Sequence, residues 1–541
     1  MKRIGLIGLF CAVMCSTFAI PARKEAIIVE QPDGSQIVIY QHGDEHFHWT
    51  TNEKGEWIEL NTAGFYEVIP SMSTEEIDIR RAAAPRNNIA PSQQASQLNI
   101  APRGLIILVN FSDVQFTTSK AEMDSMLTGL NYTRDYSYTY NKHTYTITSE
   151  GSARQYFADA SFGQYNPQFD VIGPVTVSQH VAYYGSNTSS GGDKYAEKMV
   201  VEACKLVNDS VDFSLYDNNN DGVVDFVYVF YAGYGEADGG GRNTIWPHQY
   251  YVSQYQYLKL DNKVIDRYAC SNELSFHSKM HDGIGPFCHE FSHVLGLPDL
   301  YSTANTTHRT MVDWDILDYG PYNNDGNTPP TYSAYERFFM GWLTPRVLTE
   351  SEIVTLKDLQ THNEALLICR ADTHNLVGND PNPTTFYLLE NRQQDKWDEY
   401  LAGHGMMLTK INYQVNAWKN NTVNNTSKSM GVDLMEADGR AGTASSNNYW
   451  GKPGDLFPAG ATEYLDIVDH PIKNIQETNG VITFNYKDAI STALENIQGS
   501  DEIVAIYSIL GQRMATIDIH TLHQGTYIIK TTQGTKKIII R

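Results

Sequence analysis

The run PFCHEFSHVLGLPDLY, residues 286–301, restricts what this chain can fold into more than any other stretch. His289 and His293 stand four apart, with Glu290 beside the first. On an α-helix, residues i and i+4 lie on one face a turn apart, so both imidazoles can reach one metal ion. Gly285-Pro286 offers a helix start, because proline is tolerated in a first turn. Gly296 permits the left-handed turn that ends a helix, and the reversing chain can bring Asp299 back toward the histidines. Two imidazoles and one carboxylate leave a fourth position open, the pattern of catalytic rather than structural zinc. Glu290 is then the expected general base. The competing reading is an amphipathic helix that carries two histidines by accident. A bare His-Glu-x-x-His arises by chance in about a few per cent of chains this long, and Gly296 with Asp299 lowers that by roughly two orders of magnitude.

At 541 residues the chain exceeds one hydrophobic core, so several domains are expected. Its 40 basic and 63 acidic residues give a net charge of −23. That balance excludes a nucleic-acid partner, whose phosphates must be met by lysine and arginine. Met1-Lys2-Arg3, an apolar run and small residues before IPARK read as a secretory signal peptide over residues 1–22. No other segment is apolar and long enough to span a bilayer, so no transmembrane segment is expected in the mature protein. Outside the signal lie Cys204, Cys270, Cys288 and Cys369. Four cysteines allow three pairings, and buried free thiols are an equal expectation.

The periodicity divides the rest. Residues 23–85 alternate in strand fashion, with Asp33-Gly34 and Lys54-Gly55 as turns, and form a β-rich pro-segment. A polar linker covers 86–103. Residues 104–350 open on the apolar run LIILV and then mix strands with helical stretches. Residues 351–487 read as a β-sandwich and 488–541 as a small β domain. The overall class is α+β.

A second constellation is Asp217-x-Asn219-x-Asp221-Gly222-x-x-Asp225, with oxygen donors at alternate positions and a glycine for the tight turn. Such a set suits calcium, with Val223 adding a backbone carbonyl. Tyr228 replaces the twelfth-position glutamate of an EF-hand, so the expectation is a structural calcium loop entering a strand; the alternative is an Asn/Asp-rich surface turn. His248 and His281 have weaker claims, the first as a structural or subsite residue and the second as a loop residue.

His289-Glu290-x-x-His293-x-x-Gly296-x-x-Asp299 resembles the zinc signature of the immune-inhibitor-A-like metallopeptidases, a metzincin-like group with aspartate as third ligand. The blocks GSARQYFADASFGQYN, YDNNNDGVVDFVYVFYAGYGEADGG, VDWDILDYGPYN, PTYSAYERFFMGWLTP, FYLLENRQQDKWDEYLAGHGMML and LMEADGR are similar to family blocks in the family's order. The resemblance spans about residues 100–460. It implies a metzincin-like domain in which zinc is held by His289, His293 and Asp299, Glu290 acts as base, and proteins or peptides are hydrolysed. Leu317 stands where the family places a methionine beneath the metal, an exchange of similar volume that usually costs little. Tyr319 matches a tyrosine that stabilises the oxyanion in some metzincins; otherwise it is a packed aromatic. The last fifty residues resemble a type IX secretion sorting domain through Tyr507, Leu510-Gly511-Gln512, Gly525-x-Tyr527 and Lys536-Lys537. That implies the type IX machinery as partner and a route through the periplasm to the exterior or cell surface. A carbohydrate-binding or plain structural module is the alternative for this end. For the whole chain, the alternative is an adhesin on an inactive peptidase scaffold.

Latency is the remaining expectation. QHGDEHFHW places His42, Asp44, Glu45, His46 and His48 within seven residues, all of them zinc donors in principle. Gly43-Asp44 resembles the Gly-Asp of astacin-like pro-segments, which makes Asp44 the expected carboxylate to reach the metal; otherwise these residues cap a hairpin. Arg80, Arg81 and Arg86 offer an activating cut.

Overall fold

The computed structural model describes residues 20–45, 47–73, 75–77, 101–188, 192–304, 308–442, 449–487, 503–523, 525–532 and 535–540, with backbone alone at 15–16 and 86–87. The bulk of the signal segment, His46, Arg80, Arg81, the Arg86 side chain, most of the linker and the Lys536 and Lys537 side chains lie outside the described residues.

Five strands make the first sheet: β1 (Ile27–Glu30), β2 (Gln36–Asp44), β3 (Phe47–Asn52), β4 (Trp57–Leu60) and β5 (Tyr66–Val68), paired antiparallel in chain order. Ile27, Ile39 and Ile58 form its small core, against which Phe276 of the peptidase segment packs. A short core of this kind stabilises little alone, so the sheet leans on that segment.

The central sheet contains β6 (Arg103–Asn110), β7 (Gln168–Thr176), β8 (Val227–Tyr234), β9 (His248–Tyr251) and β10 (Arg267–Leu274), ordered β7-β6-β8-β10-β9. All pairs are parallel except the β9 edge. Side chains alternate across a strand. On β6, Ile106 and Leu108 face one apolar layer while Leu105, Ile107 and Val109 face the other. The second layer holds helix α1 (Ala196–Val207) through Met199, Val200, Ala203 and Cys204. The first holds α2 (Ile284–Val294) through Ile284, Phe287, Cys288 and Phe291. Covering both faces of a parallel sheet is what a continuous apolar run demands.

The first layer does not stop at the peptidase segment. Trp397, Met407, Tyr413 and Trp418 join the same apolar cluster as Phe287 and Phe291. These residues come from a downstream five-stranded sheet that includes Thr385–Arg392 and Gly405–Asn412, and from its connecting segments. A three-stranded sheet of Glu352–Leu356, Ile472–Thr478 and Val481–Tyr486 packs on it over a second core. Residues Ile503–Ser508, Gly525–Thr531 and Thr535–Ile540 form a separate three-stranded sheet. The molecule is thus a mixed α and β protein, rich in sheet and poor in helix. Cys204, Cys270, Cys288 and Cys369 are all buried and free. No helix among the described residues is long and apolar enough to cross a membrane.

Candidate active site

Helix α2 is buried along its whole length, and its N-cap is Gly283. The backbone turn at 321–326 presses against its start so closely that a Cβ at Gly285 would lie 2.0 Å from the Pro321 carbonyl oxygen. At the other end Gly296 adopts φ 98°, the left-handed conformation its position in the sequence predicts. The turn it makes brings the Leu297 carbonyl to 2.8 Å from His293 Nδ1. The Ile316 carbonyl lies 2.7 Å from His289 Nδ1. Each Nδ1–H donates to a carbonyl, which fixes the ring and turns its Nε2 lone pair inward.

The inward atoms converge. His289 Nε2 and His293 Nε2 are 3.1 Å apart, and each lies 3.2 Å from Asp299 Oδ1. A tetrahedral ion with bonds of about 2.0–2.1 Å separates neighbouring ligand atoms by about 3.3 Å, so the three residues fit zinc. Nothing else among the described residues gathers three such groups. Burial disfavours a protonated His289 and the neighbouring His293 adds to that, which leaves its ring below the ordinary imidazole range despite Asp299. A neutral imidazole is the form that ligates.

Asp299 is aimed from outside the peptidase segment. Asn421, on the loop after Val415–Lys419, donates through Nδ2 to Asp299 Oδ2 at 2.5 Å and accepts the Asp299 backbone N–H at 2.8 Å. Asn421 sits in the run KNNTVNNTSK, where composition shows only a polar loop. Its role exists through a contact 122 positions away along the chain, which no local pattern encodes.

Glu290 is fully buried. Burial pushes its acid well above the ordinary carboxylate range, and Asp299 adds to the push. Its Oε1 accepts the backbone N–H of Ile20 at 2.8 Å. Residues 20–24, around the end of the expected signal segment, therefore lie in the cleft. Trp246 Nε1 donates to the Ile20 carbonyl at 3.0 Å and the Tyr322 hydroxyl to the Pro21 carbonyl at 2.7 Å. Ala22 N–H donates to the Gly43 carbonyl and Arg23 N–H to the Ala237 carbonyl, each at 2.9 Å. Lys24 lies over the Trp450 ring.

Tyr319 is half-buried at the edge of this segment and packs edge-on against Trp450 at 5.1 Å. Leu317 is fully buried, and its carbonyl accepts the Leu300 N–H. Asp44 is buried, and its Oδ1 accepts the Phe47 N–H. It is not one of the three converging ligands; the group that reaches Glu290 is the Ile20 amide. Glu45 stands nearer the centre: burial first, then Asp44, Asp299 and Glu290, push its acid upward. His248 is buried between the Trp246 carbonyl and the Tyr268 hydroxyl, and His281 faces Glu122.

The Asp217 loop does not collect its carboxylates. Asp217 accepts the Asp221 and Gly222 N–H groups, Asp221 accepts the Val223 N–H, and Asn218 donates to Asp225. Lys263 Nζ lies 2.5 Å from Asp217 Oδ2. Lys263 pairs with one of those carboxylates and the loop's carboxylates do not converge on one point, so the arrangement lends calcium no support.

A buried helix under a mixed sheet thus brings three inward ligands together with a buried carboxyl beside them, the side-chain set that a metallopeptidase centre uses. Residues 97–343 match the family model described as immune inhibitor A peptidase M6, catalytic domain. Immune inhibitor A of Bacillus thuringiensis subsp. alesti is 27% identical over 271 residues, 43% of this chain and 39% of that protein. The pre-pro-metalloprotease PrtV of Vibrio cholerae serotype O1 is 30% identical over 214 residues, 35% of this chain and 23% of that protein. The matched stretches thus span well under half of either relative.

Proposed function

We propose that the chain is a secreted zinc endopeptidase made in a latent form, and that it hydrolyses peptide bonds of extracellular proteins. The observation that carries this reading is the convergence of His289, His293 and Asp299 beside Glu290. Zinc held by those three residues would supply Lewis-acid polarisation of the scissile carbonyl. The chain's own work is proton transfer. Glu290 takes a proton from the attacking water and returns it to the nitrogen of the leaving amine. Its Oε1 already accepts a backbone N–H, so the carboxyl is placed to address a peptide nitrogen. Tyr319 lies at the cleft edge and is proposed to stabilise the oxyanion.

The latent state is supported by the seating of residues 20–24 and the β2–β3 hairpin over the cleft, and it takes a signal cut at Ala19 rather than at Ala22. Export by the type IX machinery, through the periplasm, rests on the C-terminal sequence likeness and on the small sheet that Ile503–Ser508 begins. Deleting 490–541 should hold the protein in the periplasm. At the Asp217 loop the expectation of calcium gives way to Lys263 as the resident cation.

The test is casein hydrolysis by the processed enzyme and by Glu290→Ala with equal zinc content. General acid–base groups contribute about 10²- to 10⁴-fold, and a loss in that range is expected with an unchanged melting curve. No activity in either protein would favour the inactive scaffold, and equal activity of the two would refute the role given to Glu290.

A further inference from the structure

The cleft segment carries one side chain into an acidic pocket. Arg23 is 4% exposed. Its Nη1 donates to Asp238 Oδ1 at 2.9 Å and to Ser275 Oγ at 3.4 Å, and Nη2 pairs closely with Asp325. The guanidinium carbon lies 5.5 Å from the centre of the Tyr322 ring. Asp282 is a third buried carboxyl facing the same group. The pocket is built before the arginine arrives: Asp238 Oδ2 accepts the Phe276 N–H, Asp282 accepts from Asn272 and Gly283, and Tyr136 donates to Asp325. His277 Nδ1 is 3.6 Å from Asp238.

Three buried carboxyls around one guanidinium are costly once the guanidinium leaves, because Asp238 then keeps only His277 as a cationic partner and Asp325 only neutral donors. Activation requires the segment to leave. Something cationic then has to enter, or the pocket stays protonated and ill-matched. Position along the cleft says what. The peptide nitrogen addressed by Glu290 is the one that departs during hydrolysis, so Ile20 stands as the first residue on the leaving side. Arg23 follows three residues later, and the segment's main chain is held as a bound peptide would be: the Trp246 and Tyr322 side chains donate to the Ile20 and Pro21 carbonyls, and Arg23 N–H donates to the Ala237 carbonyl.

We infer that Asp238, Asp282 and Asp325 form a substrate subsite for an arginine or lysine at the fourth residue on the leaving side of the cleaved bond, which Arg23 fills in this structure. The inference rests on the peptidase reading, and its test separates the two. Full-length protein carrying Arg23→Gln, in which the segment holds the pocket weakly, is titrated with the peptides Ile-Pro-Ala-Arg and Ile-Pro-Ala-Gln. Loss of one partner of a buried charge pair predicts binding of the arginine peptide tighter by about tenfold or more. Equal binding, or none, overturns the subsite whatever the protein hydrolyses. The same protein is then given a peptide mixture, and the products are read by mass spectrometry. Arginine and lysine should be enriched four residues beyond the cut, and Asp238→Asn with Asp325→Asn should erase the enrichment. Cleavage without enrichment in the Arg23→Gln protein also overturns the inference. Selective peptide binding with no cleavage even after the protein is processed would sink the peptidase reading and leave the pocket's preference standing.

Discussion

His289–Asp299 and Asp217–Asp225 are both short runs of ligand side chains that turn at a glycine, yet their donors end in opposite situations. In the first, every outer hydrogen-bonding group is satisfied by protein, and three lone pairs meet at 3.1–3.2 Å with no protein cation between them. In the second, the carboxylates turn to the loop's own N–H groups and to Lys263. Burial alone would raise the Asp217 acid, but Lys263 and the Gly222 N–H outweigh it and hold it below its ordinary range. What separates a metal site from a polar turn is therefore the hydrogen-bond partner of each donor. A lysine 46 residues away can settle the matter.

The largest effect expected from that contrast is at the first site. His293→Ala should abolish bound zinc and casein hydrolysis together, while Asp217→Asn leaves both within about twofold of wild type. Metal analysis of the two purified variants decides it, and a zinc-replete, active His293→Ala protein would break the assignment.

Next comes Asn421. It donates to the metal-facing carboxylate from another sheet, and groups that orient ligands are worth about 10- to 100-fold in metal affinity or activity. Asn421→Ala should weaken zinc retention in a chelator titration by that factor. Unchanged retention would mean that Asp299 holds its position unaided.

The second region gives a smaller, thermal effect. With Lys263 as the resident cation, a calcium-selective chelator should leave the wild-type melting temperature in place. Lys263→Met should lower it by about 2–5 °C and make it rise again when calcium is added. A wild-type protein whose melting temperature falls on calcium removal would restore the calcium site.

These contrasts also mark what the sequence can express. The spacing of His289, Glu290 and His293, the turn at Gly296 and the continuous apolar run LIILV are local, and the helix, the turn and the buried strand lie where those patterns put them. Asn421, Trp246 and Tyr322 reach the cleft only after distant segments pack, so their neighbours in sequence carry no mark of it. The Asp217 run shows the converse: its spacing was visible, but the lysine that pairs with it lies on the strand Lys263–Ile265. In residues 23–85 the cluster around Asp44 was legible as a set of donors with Asp44 expected at the metal, whereas the group that meets Glu290 is the Ile20 amide, in IPARK, which reads only as the return of polarity after an apolar run.

The smallest effect concerns how firmly the pro-segment holds, and it depends on pH. His48 Nε2 lies 3.1 Å from Glu236 Oε1, its ring stacks on Trp246 at 4.5 Å, and Nδ1 meets the Asp44 carbonyl. Asn187 approaches both His48 and Glu236, the Asp44 carboxylate also faces the ring, and Asp193 lies near Glu236. Burial works to lower the imidazole, but Glu236 and the Asp44 carbonyl outweigh it and raise it above its ordinary 6.5. A base raised in the assembled state contributes attraction that is complete below its free value and is lost as pH climbs through the bound one. The hold of the β2–β3 hairpin on the peptidase segment should therefore weaken as the medium turns alkaline. Self-processing of the full-length protein should run faster, by about two- to fivefold, at pH 8.5 than at pH 6, after correction for the activity of the processed enzyme at each pH. His48→Gln keeps a polar group at the position but cannot carry the charge, so its corrected rates at the two pH values should converge near the wild-type alkaline value. A His48→Gln protein that retains the full pH dependence would place the switch on another group, and wild-type processing that slows with pH would reverse the sign and exclude His48 as its source.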